Sequence, residues 1–326
     1  MLESRAVIYE SHGLPSEVLR LATRQRENPR QGEVALKLLA APINPSDLGQ
    51  ILGKYGKLPP LPAVAGREGV GEVMAVGPGV EGFAIGSRVR FPEMAGTWQS
   101  HAIVPANELW AVPADVPIEF AAMAWVNPPT AWRILRDAHL DTGDWVLQNA
   151  ANSTVGLCVI QMAKHLGLKT LNVVRRPELE APLREMGADV VVVEDSGYEK
   201  DVKALTGGGR VPLALNSVGG DSANRLLRAL SPGGEMVTFG AMTFEKIRFP
   251  TRQLIFDDIK LTGFWLDRWY RGQPRGRVQV MFDNLFALVR QGVIKAPVAR
   301  KYPLAEFAAA LEAAQQPRLG KVLLVP

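Results

Sequence analysis

From Asp144 to Leu266 the sequence alternates short apolar stretches with helical patterns, and this alternation limits the possible fold more than any other feature. Continuous Val, Ile and Leu stretches of this length are typical of parallel strands covered on both faces. Strands and helices that alternate at this spacing predict an α/β domain with a doubly wound parallel sheet, which binds nucleotides. The predicted strands are DWVLQNA (144–150), KTLNVVR (169–175), DVVVVE (189–194), PLALNSVG (212–219), GEMVTFG (234–240) and KLTGFWL (260–266).

Residues 1–115 contain short alternating stretches separated by glycine and proline, such as GVGEVMAVGPGV and HAIVP. This pattern predicts a β-rich domain with tight turns. After Leu266 the sequence becomes helical again and ends in the strand-like KVLLVP, which we expect to return to the first domain. The predicted domains are therefore residues 1–122 with 267–326, and residues 123–266.

Composition excludes several classes of protein. The 326 residues suit about two domains, and 47% apolar with 21% charged residues is ordinary for a soluble globular chain. No apolar stretch reaches the roughly 18–20 residues of a membrane-spanning helix, and MLESRAVIYESHG lacks the features of a signal peptide. The single cysteine, Cys158, excludes an intrachain disulfide and a cysteine-rich metal site. We expect a cytoplasmic protein.

The net charge of +4 and the pI of about 9.2 allow either nucleic-acid or phosphorylated small-molecule ligands. The sequence has no dense Lys/Arg stripe and no aromatic-interleaved recognition motif. We therefore expect no nucleic-acid partner and no membrane association.

The first predicted strand of the α/β domain leads into Asn152, Ser153, Thr154 and Val155, with small residues at 150, 153 and 156. A dinucleotide-binding turn needs small residues where backbone amides approach a pyrophosphate at a helix N-terminus. The same pattern also fits an ordinary capped strand-to-helix turn. Its position directly after the first strand favours the cofactor site.

Arg175 and Arg176 end the second predicted strand, where NAD-binding domains carry a carboxylate for the ribose 2′-hydroxyl. Two guanidinium groups can instead hold a 2′-phosphate through charge-assisted hydrogen bonds. The pair favours NADP(H) over NAD(H), although it also fits a solvated loop. Two later strand ends should face the same ligand, and they comprise Phe239, Gly240, Ala241, Met242, Phe264, Trp265 and Leu266. Met242 and Phe264 on their own fit core positions better, and only their place at the strand ends favours a ligand contact.

We expect no metal. A structural zinc site commonly needs four thiolates, and a catalytic site needs three ligands from Cys, His, Asp and Glu. The four histidines are far apart in the sequence, and none lies in the loop GKYGKLPPLPAVAGREG (53–69). Glu68 follows Arg67 directly, which favours an ion-pair or structural role for this carboxylate.

The sequence resembles the zinc-free trans-2-enoyl-thioester reductases of the medium-chain dehydrogenase/reductase superfamily. The matching segments extend from about residue 41 to 269 and include INPSDLGQILGKYGKLPPLPAVAGREGVGEVMAVG, VNPPTAWRIL, VLQNAANSTVG and LIFDDIKLTGFWLDRW. The resemblance implies a GroES-like first domain, a Rossmann second domain, a substrate cleft between them and a homodimer formed by edge strands. The chain departs from the family at Arg67, where relatives often carry asparagine, so the choice between CoA and an acyl carrier protein stays open.

The resemblance also implies roles for individual residues. Tyr55 would be the catalytic residue, and Trp265 would line the acyl pocket. The cofactor contacts would include Asn127 and Lys321 beside the residues named above. Asn44 and Asp47 resemble substrate-cleft residues, but INPSD equally fits a turn closed by an Asx hydrogen bond.

Hydride transfer to the β-carbon of an enoyl thioester develops negative charge on the thioester oxygen, and a phenol can donate a hydrogen bond to that oxygen. Tyr55 could also supply or relay the proton that completes the reduction. The alternative is a zinc-free NADPH quinone reductase of the same superfamily, which needs no phenolic donor here. A remote alternative is a non-catalytic NADPH-sensing or RNA-binding protein.

Overall fold

The computed structural model describes residues 2–326, which divide into two compact units. The first unit extends to Trp125 and also contains Ala296–Pro326, and the second comprises Val126–Lys295. The first unit is discontinuous, as the sequence suggests. The boundaries differ from the predicted ones, because residues 123–125 lie in the first unit and residues 267–295 lie in the second.

The first unit is mainly β-structure. Its strands are β1 (Leu2–Tyr9), β2 (Arg20–Arg26), β3 (Glu33–Pro42), β4 (Ala63–Val64), β5 (Val70–Val76), β6 (Arg88–Arg90), β7 (His101–Pro105), β8 (Trp110–Ala111), β15 (Val298–Pro303) and β16 (Lys321–Val325). Its helices are α1 (Pro15–Val18), α2 (Pro45–Ile51), α3 (Ile118–Met123) and α12 (Phe307–Gln315).

Strand β3 organises this unit, since it pairs antiparallel with β5, β7 and β16. Its side chains at Val34, Leu36 and Leu38 are fully buried and belong to the same core as Trp98. Strand β16 brings the carboxyl-terminal segment back to β3, and β15 lies parallel to β16. The end of β3 leads directly into α2, so this core fixes where α2 begins.

The second unit has the predicted α/β architecture. Its strands are β9 (Trp145–Gln148), β10 (Lys169–Val174), β11 (Val190–Val193), β12 (Leu213–Asn216), β13 (Glu235–Thr238) and β14 (Lys260–Gly263). Its helices are α4 (Asn127–Asp137), α5 (Thr154–His165), α6 (Glu180–Glu185), α7 (Val202–Leu205), α8 (Gly220–Ala229), α9 (Thr251–Phe256), α10 (Leu266–Arg271) and α11 (Arg275–Arg290).

The six strands form one parallel sheet in the order β11-β10-β9-β12-β13-β14. This is the order of a Rossmann sheet, with the reversal between β9 and β12. The predicted α/β fold with a β-rich partner domain is confirmed. Helix α11 packs against α4 and buries Val278, Phe282 and Phe286, which explains why residues 267–295 join this unit. Among the described residues, no helix combines the length and apolar character needed to cross a membrane.

Candidate active site

Tyr55 lies in a loop of the first unit that is anchored on helix α2. The backbone amide of Lys54 donates to the carbonyl of Gly49 at 2.8 Å. The side chain of Gln50 donates to the carbonyl of Lys57 at 2.9 Å, on the other side of Tyr55. The tyrosine ring packs on Gly49, where an added Cβ would lie 3.3 Å from Tyr55 Cδ2. The ring is therefore held against α2 while the residue stays partly exposed.

Arg67 reaches the same ring from the following segment of the chain. Its Nη1 donates to the Tyr55 hydroxyl oxygen at 2.9 Å, and its Cζ lies 4.5 Å from the ring centroid. The preceding Gly66 has a φ of +91°, and an added Cβ would lie 2.3 Å from atoms of both Thr97 and Trp98. Only glycine fits there without displacing these neighbours. Arg67 thus has a fixed backbone position and is only 8% exposed.

Two buried carboxylates lie beside this pair. Asp47 accepts hydrogen bonds from the backbone amides of Asn44, at 2.6 Å, and Arg67, at 2.8 Å. Glu68 accepts from the Asn44 side chain at 2.7 Å and from the Trp125 amide at 3.2 Å. Asn44 and Asp47 also form a capping box at the start of α2. The turn interpretation of INPSD describes this geometry, and the substrate role of Asn44 stays a prediction.

Burial raises the pKa of Asp47 to about 6, against the hydrogen bond from Asn44 and the charges of Arg67 and Lys321. Burial likewise raises the pKa of Glu68, against the Asn44 hydrogen bond and the charge of Lys321. Lys321 donates to the carbonyl of Ile43 at 3.4 Å, so its ammonium group is held in this cluster. The structure places this predicted cofactor residue in the first unit, as a counter-charge to two carboxylates.

The donor set of this cluster does not fit zinc. It offers two ligand side chains, the hydrogen-bonded carboxylates of Asp47 and Glu68, whereas a catalytic zinc site takes three from Cys, His, Asp and Glu. Within residues 2–326 no three His, Cys, Asp or Glu side chains converge as a metal site. At position 67 the guanidinium is a donor only and cannot ligate a cation.

In the second unit, residues 152–155 span the end of the turn from β9 and the first residues of α5. Ser153 caps the helix, since its side chain accepts a hydrogen bond from the amide of Gly156 at 3.1 Å. An added Cβ at Gly156 would lie 2.5 Å from the carbonyl oxygen of Ala151. The turn is therefore as tight as the predicted pyrophosphate site requires, and the N-terminus of a helix can hold phosphate. The residues fit a dinucleotide.

The other predicted cofactor residues of this unit follow the strands of the same sheet. Arg175 and Arg176 follow β10, residues 239–242 follow β13, and residues 264–266 follow β14. Because the strands are parallel, their carboxyl ends lie at one edge. Arg175 is exposed, and Arg176 pairs with Glu178 at 3.2 Å. Asn127 begins α4, which packs against α5.

Comparison with known proteins places this geometry in a family. Residues 30–114 match the model for the alcohol dehydrogenase GroES-like domain, and residues 154–283 match the model for zinc-binding dehydrogenases. The mitochondrial enoyl-[acyl-carrier-protein] reductase of Rattus norvegicus is 44% identical over 96% of this chain and 86% of its own length. The Homo sapiens enzyme of the same name is 43% identical with the same coverage. The chain belongs to the enoyl-[acyl-carrier-protein] reductase family of the medium-chain dehydrogenase/reductase superfamily.

Solved structures agree with this assignment. The Etr1p/NADP/crotonyl-CoA complex matches with a TM-score of 0.92 and 29% identity over the full length of both chains. A quinone oxidoreductase from Pseudomonas syringae pv. Tomato DC3000 matches with a TM-score of 0.87 and 28% identity, over 99% of this chain and 100% of its own. The fold is therefore shared by reductases with different names, and only the local chemistry can separate them.

Two features of this reductase-family chain are absent from the sequence predictions. One is the bond between Arg67 and Tyr55, for which the sequence offers only the departure from asparagine. The other is a buried network at the sheet edge, in which Asn149 donates to Asn216 at 2.9 Å and to Ser222 at 3.0 Å. Asparagine at the ends of the apolar strands VLQN and LALN could have indicated it.

Proposed function

We propose that this protein reduces the carbon–carbon double bond of trans-2-enoyl thioesters with NADPH. The observation that carries the proposal is Tyr55, a phenol held by Arg67 in a cluster whose donor set does not fit zinc. Its relatives are named enoyl-[acyl-carrier-protein] reductases, and one of the matched structures is a complex of Etr1p with NADP and crotonyl-CoA. The substrate class follows from combining this phenol with these relatives.

The second unit would hold the cofactor. The turn at 152–155 would bind the pyrophosphate at the N-terminus of α5, and Arg175 with Arg176 would bind the 2′-phosphate. The residues after β13 and β14, together with Asn127, would complete the contacts within this unit. When bound, NADPH supplies the hydride that reaches the β-carbon of the substrate.

Tyr55 would act on the thioester itself. As the β-carbon gains hydride, negative charge develops on the thioester oxygen, and the phenol O–H donates a hydrogen bond to it. The same hydroxyl would supply or relay the proton that reaches the α-carbon. We propose that no zinc takes part, since conjugation already makes the β-carbon electrophilic. Trp265 is the proposed acyl-pocket residue of the second unit, and the substrate role of Asn44 stays a prediction.

A quinone reductase is the second candidate, because the Pseudomonas syringae quinone oxidoreductase shares this fold. The two functions make different demands on Tyr55, since quinone reduction needs no donor in this loop. Oxidation of NADPH, followed at 340 nm with crotonyl-CoA and with a simple quinone, separates them. We expect rapid NADPH oxidation with crotonyl-CoA. If the quinone supported NADPH oxidation and crotonyl-CoA did not, the proposal would be overturned.

The thioester carrier can be CoA or an acyl carrier protein. The relatives are named for the carrier protein, and the basic net charge of +4 suits either an acidic carrier or the phosphates of CoA. Rates measured with crotonyl and longer enoyl groups on both carriers decide between them. A preference for the carrier protein at equal chain length is the expected result for this family.

We also propose a homodimer formed through the second unit. Strand β14 is the edge of the six-stranded sheet, and Lys260, Thr262 and Gly263 on it are exposed. Nearby in the chain, Ile255 and Phe256 are 66% and 72% exposed. An edge strand beside apolar side chains can pair with a second copy. Light scattering should give twice the chain mass of 35.5 kDa, and a monomer would overturn the proposal.

The cytoplasmic location remains a proposal. It rests on the single Cys158, which is buried and forms no disulfide. The relatives are named as mitochondrial proteins. Both compartments keep such a thiol reduced, so imaging of the tagged full-length protein in its own cells is the measurement that decides.

A further inference from the structure

The bond between Arg67 and Tyr55 has a fixed direction. A guanidinium carries five N–H donors and no acceptor, so the Tyr55 oxygen must accept in the 2.9 Å contact. The contact therefore does not use the proton of the hydroxyl group. The proposed function uses this O–H proton for donation to the thioester oxygen, so the two bonds do not compete for the same atom.

The position of the guanidinium is determined by the fold and not by the ring alone. The amide of Arg67 donates to Asp47, and the preceding Gly66 packs against Trp98. An arginine that is 8% exposed on such a backbone holds its guanidinium close to the Tyr55 ring, with Cζ 4.5 Å from the ring centroid. In the family resemblance this position is often asparagine, which is neutral and too short to cover the ring.

A cation that donates to a phenol oxygen polarises the O–H bond and favours the negatively charged form of the oxygen. The effect is largest when the phenol donates to an oxygen that is gaining charge, so it acts mainly in the transition state. Other charged or titratable groups lie in the segments next to Tyr55 and Arg67 in the first unit. They include Asp47 and Glu68, Lys54 and Lys57 of the Tyr55 loop, Glu93 paired with Lys57, Lys321 of β16, His12 beside Gly53, and Tyr9.

We propose that Arg67 is the positioning residue of Tyr55, which orients the phenol and strengthens its hydrogen bond to the thioester oxygen. The inference rests on the proposed function and deepens it.

A double-mutant cycle tests this role, because a residue that acts only through the Tyr55 hydroxyl has no effect once the hydroxyl is gone. The variants are Arg67→Met, Tyr55→Phe and the double variant, each assayed with crotonyl-CoA. We expect Arg67→Met to lower kcat by roughly 10-fold, with KM for crotonyl-CoA nearly unchanged. In the Tyr55→Phe background the same substitution should change kcat by less than about 2-fold.

Arg67→Lys is the conservative variant, and it also guards against a methionine variant that folds poorly. It keeps a positive charge but lacks the planar fork, so we expect it to restore part of the lost kcat. Additive losses in the double variant would overturn the inference, because Arg67 would then act independently of Tyr55. An unchanged kcat in both single Arg67 variants would overturn it as well.

A spectroscopic titration separates failure of this inference from failure of the proposed function. The difference in absorbance at 295 nm between the parent protein and Tyr55→Phe reports ionisation of this phenol without any substrate. We expect ionisation at lower pH with Arg67 present than in Arg67→Met, because the guanidinium favours the phenolate. Equal titrations would contradict the role of Arg67 even if enoyl reduction were measured, and a difference would support it even if another substrate were reduced.

Discussion

The predicted sites of the two units depend on different parts of the chain, the backbone in the second unit and side chains in the first. In the second unit, the predicted cofactor residues follow from backbone geometry, namely one tight turn and the carboxyl ends of parallel strands. In the first unit, the site consists of side chains that meet across long distances in the sequence. Asn44 contacts Glu68 over 24 positions, and Lys321 contacts Ile43 over 278. Changes in the second unit should therefore alter which cofactor is held, whereas changes in the first should alter reactivity and folding.

The largest effect should come from Tyr55→Phe in the first unit. Removal of the hydroxyl removes the donor to the thioester oxygen, so we expect kcat with crotonyl-CoA to fall by roughly 100-fold. The affinity for NADPH should stay the same, as measured by fluorescence titration. Tyr302→Phe is the matched control, because Tyr302 also lies under an arginine of the same unit, with Arg300 4.9 Å from its ring. Equal losses in both variants would remove the distinction between the two tyrosines.

In the second unit, Arg175→Ala combined with Arg176→Ala should change cofactor choice without changing the chemistry. Loss of the charge-assisted bonds should weaken NADPH binding by roughly 10- to 100-fold and leave NADH binding nearly unchanged. Arg184→Ala is the control, since Arg184 pairs with Glu180 on α6 and does not follow a strand. Equal weakening for both cofactors would contradict the 2′-phosphate role.

A substitution at Gly156 tests whether the tight backbone turn before α5 is needed for the predicted cofactor site. Gly156→Ala places a Cβ against the Ala151 carbonyl at 2.5 Å, so we expect about 1–3 kcal/mol less stability and weaker NADPH binding. Gly276→Ala is the matched control, since Gly276 also lies in the first turn of a helix but meets nothing within 4 Å. That variant should gain about 0.4–1 kcal/mol. Thermal unfolding measures both, and equal Tm values would argue against a tight turn.

The smallest effect concerns the pH dependence of stability in the first unit. The pKa of Asp47 is raised to about 6, and the pKa of Glu68 is raised as well, both by burial. The folded protein therefore keeps protons that the unfolded chain releases at lower pH, and the free energy of unfolding falls as the pH rises through this interval. Glu68→Gln removes one such group.

We expect Tm to decline less between pH 5 and pH 8 in Glu68→Gln than in the parent protein, by a few degrees at most. Glu81→Gln serves as the control, because Glu81 is exposed in the same unit. An identical decline in all three proteins would show that Glu68 does not contribute to this dependence.

The sequence predicted the two units unequally. Each strand of the parallel sheet was predictable, because short Val, Ile and Leu stretches between helices are typical of buried parallel strands. The observed strands lie within the predicted ones. The domain boundary near residue 267 was predicted wrongly. Helix α11 belongs to the second unit because it packs against α4, and the two helices are over 100 residues apart in the sequence. The contacts of Arg67 and Lys321 were not predictable. Hydrophobic periodicity predicts helices and strands, but it does not predict which distant side chains meet in the folded unit.

The most direct test of the proposed chemistry follows the hydrogen that NADPH delivers. The parent protein is incubated with crotonyl-CoA and NADPH carrying deuterium at C4, in separate reactions for the two C4 positions, and the butanoyl product is examined by NMR. We predict that one of the two labelled cofactors places deuterium on the β-carbon, while the α-carbon takes its hydrogen from water. Deuterium on the α-carbon, or no label in the product from either cofactor, would contradict enoyl-thioester reduction by this protein.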